Sequence, residues 1–336
     1  MTPPIPLAPQ FPARAATTPP AAVVAPVPGL GLLTFEGPDA AAFLHSQLSS
    51  DVIAMVPGSV GWSSYNSPKG RMLGSLLLWR RAPDAFAALV AQDLAEALAR
   101  RLSMFVLRAK VVIADLSAAG QRFGVAGAGA RDAIAAALGD APAPAQGIAI
   151  AECLVIATPD GRQVVHAPEA LATTVGAQLA ARAQAVPADH WDWLAIAAGV
   201  PLITRATQDR FIPQSANWDL VGGINFRKGC YPGQEIVARM QYLGRLKERL
   251  LAFHVAAPVP APATPIFAAT FGDQACGTVV NAAAAPGGGS DLLAVVQWAA
   301  LDDAGLHLST PDGPPLSPRA LPYIVPPPVA PNRPKL

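Results

Sequence analysis

Apolar residues recur along this chain in two rhythms, which change near Arg245. In the first, short apolar runs alternate with helical spacing. Residues 30–35 read as a buried strand, and Gly37-Pro38-Asp39 starts a helix carrying Phe43, Leu44 and Leu48, with proline in its first turn. Residues 59–65 and 70–79 predict a strand pair joined by the turn-rich Asn66-Ser-Pro-Lys-Gly70. A strand over 84–90, a helix over 91–105 through Leu94, Leu98 and Leu102, and a strand over 110–116 complete that unit. A second α/β stretch opens with 121–140, continues as strands over 148–156 and 162–165, and adds helices over about 168–185 and 190–199. Helices alternating with paired strands predict an α+β layered fold akin to the split βαβ arrangement. Beyond Arg245, short strands at 249–255, 276–281, 292–298 and 306–308 are separated by Pro/Gly-rich turns. That rhythm fits a small barrel or a sandwich and does not separate them.

Composition refines the two ends. Residues 1–28 are rich in Pro and Ala and are expected as a disordered leader, and residues 327–336 as a disordered tail. The uncharged run 15–35 holds Pro19, Pro20, Pro26 and Pro28, which break the internal hydrogen bonding a bilayer span requires. It also lacks the basic start and unbroken apolar centre of a secretory signal, so no membrane partner is expected. Cys153, Cys230 and Cys276 are odd in number and far apart, which argues against a disulfide framework and a CxxC metal site. A reducing cytoplasm is the expected location, with no metal held by this chain. The net charge of +1 gives no global bias toward nucleic acid. Five scattered histidines form no HExxH motif and no visible Cys-His or Ser-His-Asp pairing. Gly127 and Gly129 lack the full spacing of a dinucleotide loop.

One stretch concentrates candidate chemistry. In residues 226–239, Arg227 and Lys228 precede Cys230, Pro232-Gly233 suits the centre of a type II turn, and a helical pattern follows over 236–243. Glu235 and Arg239 stand four apart in the favourable order on that helix. Neighbouring cations and a helix start both favour a thiolate, so Cys230 reads as reactive or ligand-contacting. Gln214 and Asn217 carry amides able to read a planar heterocycle, or equally to cap a loop. Lys69 and Arg71 flank Gly70 and are placed to reach an anion, and Tyr231 to stack or donate a hydrogen bond. Between residues 226 and 250, six cations face two carboxylates, which is either a solvated face or an anion site such as a folate's glutamate tail.

Lys228-Gly-Cys-Tyr-Pro-Gly-Gln-Glu235 resembles the K-G-C-Y-x-G-Q-E signature of the YgfZ-type folate-binding proteins. These are relatives of the glycine-cleavage T-protein, an aminomethyltransferase, and are associated with iron–sulfur enzyme maintenance. Phe211-Ile-Pro-Gln-Ser-Ala-Asn217, Gly222-Gly-Ile-Asn-Phe226 and Ser67-Pro-Lys-Gly-Arg-Met-Leu73 carry the same resemblance, which spans about residues 29–326. It implies a folate-binding α+β region over 29–245, made of two ferredoxin-like subdomains at about 29–118 and 119–245. A C-terminal β-barrel over 246–326 would complete a ring. It further implies a bound tetrahydrofolate, and transient partners among iron–sulfur enzymes or assembly factors. Cys230 would be the working residue with Lys228 beside it. The folate-contacting set would be drawn from Gln214, Asn217, Tyr231, Gln234, Glu235, Arg239, Lys69 and Arg71.

Two departures bear on activity. The aminomethyltransferases depend on an aspartate in the strand after the first hairpin, whereas residues 71–79 contain no carboxylate. Relatives often carry Arg-x-Glu where this chain has Ala195 and Ala197. The expectation is therefore a folate-binding accessory protein for iron–sulfur cluster assembly or repair. The alternatives are a folate-dependent one-carbon transferase and a folate-sensing regulator without chemistry.

Overall fold

The structure, a computed structural model, describes residues 20–242, 244, 246–302 and 305–327. Its first strand, β1 (Val23–Pro26), lies inside the stretch expected as a leader. It pairs antiparallel with a later strand along its whole length, and Val24, Ala25 and Val27 are buried. The branched pair Val23-Val24 suits a half-buried ladder, and Pro26 ends the strand without interrupting it. Residues 1–19 of that leader, and all but the first residue of the tail over 327–336, fall outside the described residues.

The chain then builds a five-stranded antiparallel sheet. Its strands are β2 (Leu30–Glu36), β3 (Val60–Asn66), β4 (Met72–Ala82), β5 (Ala85–Ala91) and β6 (Val112–Asp115), in the order β3-β4-β5-β2-β6. Helices α1 (Ala40–Gln47) and α2 (Ala95–Ser103) bury Phe43, Leu44, Leu98 and Leu102 against Leu76, Leu78 and Val90. The opposite face, with Leu77, Trp79 and Leu89, packs on a second sheet through Leu154, Ile156 and Val164. Burial on both faces is why 72–79 is buried throughout and shows no alternation of apolar and charged residues.

The second sheet contains β1, β7 (Gly120–Ala126), β8 (Gly147–Ile150), β9 (Cys153–Ala157), β10 (Gln163–Pro168) and β11 (Gln184–Ala185), in the order β11-β1-β7-β10-β9-β8. Helices α3 (Ala130–Leu138) and α4 (Glu169–Ala180) cover its outer face. The single strand expected over 148–156 is a tight hairpin instead, because Ala151 turns at a positive φ of 50°. Helix α5 (Ala188–Ala197) leads out of this unit.

Residues 200–233 contain no helix or strand. This segment clamps on to the first sheet: the Ile203 amide donates to Ser75 Oγ at 2.9 Å, and Met72 exchanges main-chain bonds with Asp209 and Phe211. After helix α6 (Gln234–Tyr242), strands β12 (Glu248–Val255), β13 (Pro265–Ala268), β14 (Gly277–Ala284), β15 (Ser290–Gln297), β16 (Leu306–Leu308) and β17 (Pro315–Arg319) close a barrel. Closure decides barrel over sandwich. The prolines at the start of β13 and in β17 hide both strands from a sequence reading. Among the described residues, no helix is long and apolar enough to cross a membrane.

Candidate functional site

Two places in this fold carry candidate chemistry. The first is the cysteine turn, where two distant turns interlock. The Gln234 amide donates to the Tyr231 carbonyl at 3.1 Å, and Gly233 sits at φ 76°, as the third residue of a type II turn requires. Gly70 closes the β3–β4 connection at φ 72°. A Cβ on Gly233 would collide with the Ser67 carbonyl and lie 2.6 Å from Gly70 Cα, while one on Gly70 would lie 2.8 Å from Ile236 Cβ. Ser67-Pro-Lys-Gly and Tyr-Pro-Gly are therefore two halves of one joint. Because the turn uses residues 231–234, α6 begins four residues beyond Cys230, and the thiol stands exposed ahead of the turn, not at the helix N-terminus.

Lys228 is buried, with its ammonium donating to the carbonyls of His45 and, at 2.6 Å, Leu48. These are open carbonyls at the C-terminus of α1, where a cation also meets the helix dipole favourably. The ammonium lies 5.0 Å from the Tyr231 ring centre. Burial pulls its pKa down to about 8, against the raising effects of Asp51 and Cys230. The same burial pushes the Tyr231 phenol up to about 12. His45 enters here unannounced by the sequence: its Nδ1 stands 3.3 Å from Asp51 Oδ1, off the line of a good hydrogen bond, so the pairing is electrostatic. Burial, then Lys228, holds the imidazole below its usual pKa, with Asp51 opposing.

The other sequence candidates occupy several settings. Gln214 and Asn217 are fully buried, and their amide N–H groups donate to the carbonyls of Val237 (2.7 Å) and Leu250 (2.9 Å). Asn217 adopts φ 58°, a left-handed conformation that asparagine tolerates. Gln234 donates to the Lys228 carbonyl at 3.2 Å, bracing the turn. Glu235 and Arg239 are exposed and make no ion pair with each other among the described residues. Lys69 is exposed, and Arg71 donates to the Arg210 carbonyl while lining an open cleft with Arg210 and Lys247. Among the described residues, no group of three or more His, Cys, Asp or Glu side chains is arranged to hold a metal ion.

The second place is a cavity of about 460 Å³ where both sheets, α5 and the barrel meet. None of the residues in the cysteine turn lines it. Its walls include Trp62, Leu77, Leu89, Val164, Trp191 and Ile196. Most of its polar side chains are already engaged. Ser75 receives the Ile203 amide, Asn281 brackets the Leu202 backbone with both ends of its amide, and Asp93 holds the Arg205 amide. Arg162 is tied to Asp160 through two bonds of 3.0 and 2.8 Å and lies 5.1 Å from the Trp191 ring centre. Asp192 differs: among the described residues its carboxylate has no hydrogen-bond partner. The residue is solvent-exposed at the rim of the cavity, and partial burial there, followed by the charge of Asp189, raises its pKa. Ala195, one turn along α5, lines the same cavity.

The chain is 33% identical over 271 residues to tRNA-modifying protein YgfZ of Edwardsiella ictaluri, an alignment covering 79% of this chain and 81% of that one. This chain belongs to the YgfZ family. A YgfZ of Klebsiella pneumoniae is 35% identical over 225 residues, covering 65% of this chain and 67% of its own. That of Sodalis glossinidius is 29% identical over 300 residues, covering 88% and 90%. No family model matches the chain. Among solved structures, glycine cleavage system aminomethyltransferase T from Bartonella henselae superposes with a TM-score of 0.74 at 18% identity, covering 90% of this chain and 86% of that one. The fold of this YgfZ-family chain is thus the aminomethyltransferase T fold, as the signature around Cys230 implied.

Proposed function

We propose that this chain is a folate-binding accessory protein that supports iron–sulfur enzymes, holding tetrahydrofolate in the central cavity and working through Cys230. The observation that carries the folate half is the cavity itself. A volume of about 460 Å³ lies within the range of small-molecule pockets. Trp62 and Trp191 offer flat apolar walls for a pterin, and Asp192 offers an unengaged acceptor for its ring N–H and amino groups. Asp192 stands one helical turn before Ala195, so α5 still brings a carboxylate to this cavity although Ala195 and Ala197 replace the Arg-x-Glu of relatives. When bound, the folate would supply one-carbon or reducing chemistry; the residues named here bind and orient it.

The accessory half rests on the exposed thiol in the signature turn. Relatives are named tRNA-modifying proteins, and the near-neutral net charge of +1 favours an indirect route to tRNA over direct RNA contact. A factor that sustains an iron–sulfur enzyme acting on tRNA would fit that name. The one-carbon transferase reading has less support, because residues 71–79 carry no carboxylate. The test is a deletion strain assayed for iron–sulfur enzyme activities and tRNA modification, complemented with wild type, Cys230→Ala and Asp192→Asn. Full rescue by Cys230→Ala would leave a folate sensor as the reading, and full rescue by both variants would overturn the proposal.

A further inference from the structure

Gly229, the residue before Cys230, has a neighbour that the sequence places 184 residues away. His45 leaves the last turn of α1, and its Nε2 faces Gly229, 3.7 Å from the position a Cβ would take there. Gly229 has no positive φ, so the backbone does not require glycine at this position. What glycine provides is a side of Nε2 left uncovered beside the residue that precedes Cys230. On its other side, the ring faces Asp51 through Nδ1 at 3.3 Å. The backbone of the same helix end is fixed by Lys228, which binds the His45 and Leu48 carbonyls and not the imidazole.

On the reading that Cys230 is the working residue, we propose that His45 is its base and that Asp51 positions His45. A carboxylate beside Nδ1 favours the tautomer with the proton on that nitrogen, leaving the Nε2 lone pair toward Gly229 and Cys230. Nucleophile, base and orienting carboxylate then follow the order shared by acyl-transfer enzymes on unrelated folds. The groups facing His45 are Asp51 from the loop after α1 and Lys228 from the signature stretch. Burial, then Lys228, outweighs the opposing effect of Asp51 and favours the neutral imidazole, which is free to accept a proton. In the step itself, Sγ attacks an electrophile while the thiol proton passes to Nε2. The S–H bond breaks, an Sγ bond to the electrophile forms, and the leaving group departs with its electron pair. The imidazolium produced is steadied by Asp51.

The test uses the full-length protein and iodoacetamide, whose iodide is the leaving group, with alkylation of each cysteine followed by mass spectrometry from pH 5 to 9. Cys153 and Cys276, both buried, serve as internal references. His45→Gln is expected to slow Cys230 alkylation at pH 7 by about tenfold and to remove the imidazole limb of the rate profile. Asp51→Asn, which keeps an oxygen for the Ala54 amide, is expected to slow it by about threefold and to shift that limb downward. Gly229→Ala is expected to lower the rate by filling the approach, with the limb unmoved. Should His45→Gln lose cooperative melting, the Asp51→Asn and Gly229→Ala profiles decide. A Cys230 rate and pH profile identical to wild type in the folded variants would overturn the proposal. This readout needs neither folate nor an iron–sulfur client, so its failure is distinct from rescue of the deletion strain by Cys230→Ala.

Discussion

The cysteine turn and the central cavity lie in one molecule and show opposite relations between sequence and chemistry. The turn is conspicuous in sequence, yet most of its residues are braces: Lys228 holds the end of α1, Gln214 holds α6, and Gly233 locks against Gly70. The cavity has no motif, yet it brings Trp62 of β3 together with Trp191 and the unengaged carboxylate of Asp192 on α5. A dense local signature marks a place where the backbone must take one shape. A binding surface needs only that the right side chains converge, and convergence leaves no local trace.

This contrast can be broken at four points. Arg249 donates two hydrogen bonds to the Asp219 carboxylate in a bidentate ion pair, at 2.6 and 2.9 Å, and a third to the Gln214 carbonyl at 2.7 Å, joining the barrel to the segment that carries both regions. Arg249→Ala should leave Asp219 unpaired and cost about 3–5 kcal/mol in urea unfolding, impairing folate binding and thiol reactivity together. Lys228→Met removes two bonds at the end of α1 and should cost about 2 kcal/mol. It should disturb Cys230 alkylation while sparing folate affinity. Asp192→Asn should do the reverse, weakening tetrahydrofolate binding by about tenfold in calorimetry, or about 1.4 kcal/mol, with Cys230 alkylation unchanged.

The smallest effect is a pH response confined to the cavity side. Burial, then Arg122, holds the His166 pKa down to about 4 on β10, the strand that also gives Val164 to the cavity. A base whose folded pKa lies below its unfolded value binds fewer protons when folded, so stability is full above the unfolded pKa of about 6.5 and is lost as pH falls toward 4. Between pH 7 and pH 5 the loss should be about 1 kcal/mol after allowance for partial solvent screening. Melts of His166→Gln should be flatter over that interval than those of wild type.

Much of the fold was readable in the sequence because burial imposes period on strands and helices, as in 30–35 and in the Leu94, Leu98, Leu102 spacing. The failures have local causes. Proline masks β13 and β17, and a single positive φ at Ala151 folds an apparent strand into β8 and β9. The site was half readable. The motif stood out, but charge misled, since Lys228 and Arg249 point inward while Arg245 lies outside the described residues. Asp192 resembled any solvent-facing helical carboxylate, and it is exposed; only its place between Trp191 and Trp193 hinted at the cavity beside it. His45 gave no signal, because Lys228 lies far along the chain and Asp51, six residues on, meets it only through the loop after α1.

Residues 200–233, described above as irregular, set an order on folding. Part of their backbone is paired in local turns, such as Trp218 to Pro213, and other groups depend on partners outside the segment. Those partners are Ser75 and Met72 on the first sheet, then Asn281 and Arg249 on the barrel. The contacts close loops of more than a hundred residues toward the first sheet, so the segment orders only after the amino-terminal sheet and the carboxy-terminal barrel both exist. By the same dependence it is the first part released when either end loosens. A nascent chain therefore carries the Cys230 signature out of the ribosome long before that thiol acquires its setting. The exposed cysteine is held by the amino-terminal turn at Gly70 and the end of α1, while the segment leading to it also waits on Arg249 and Asn281 of the barrel.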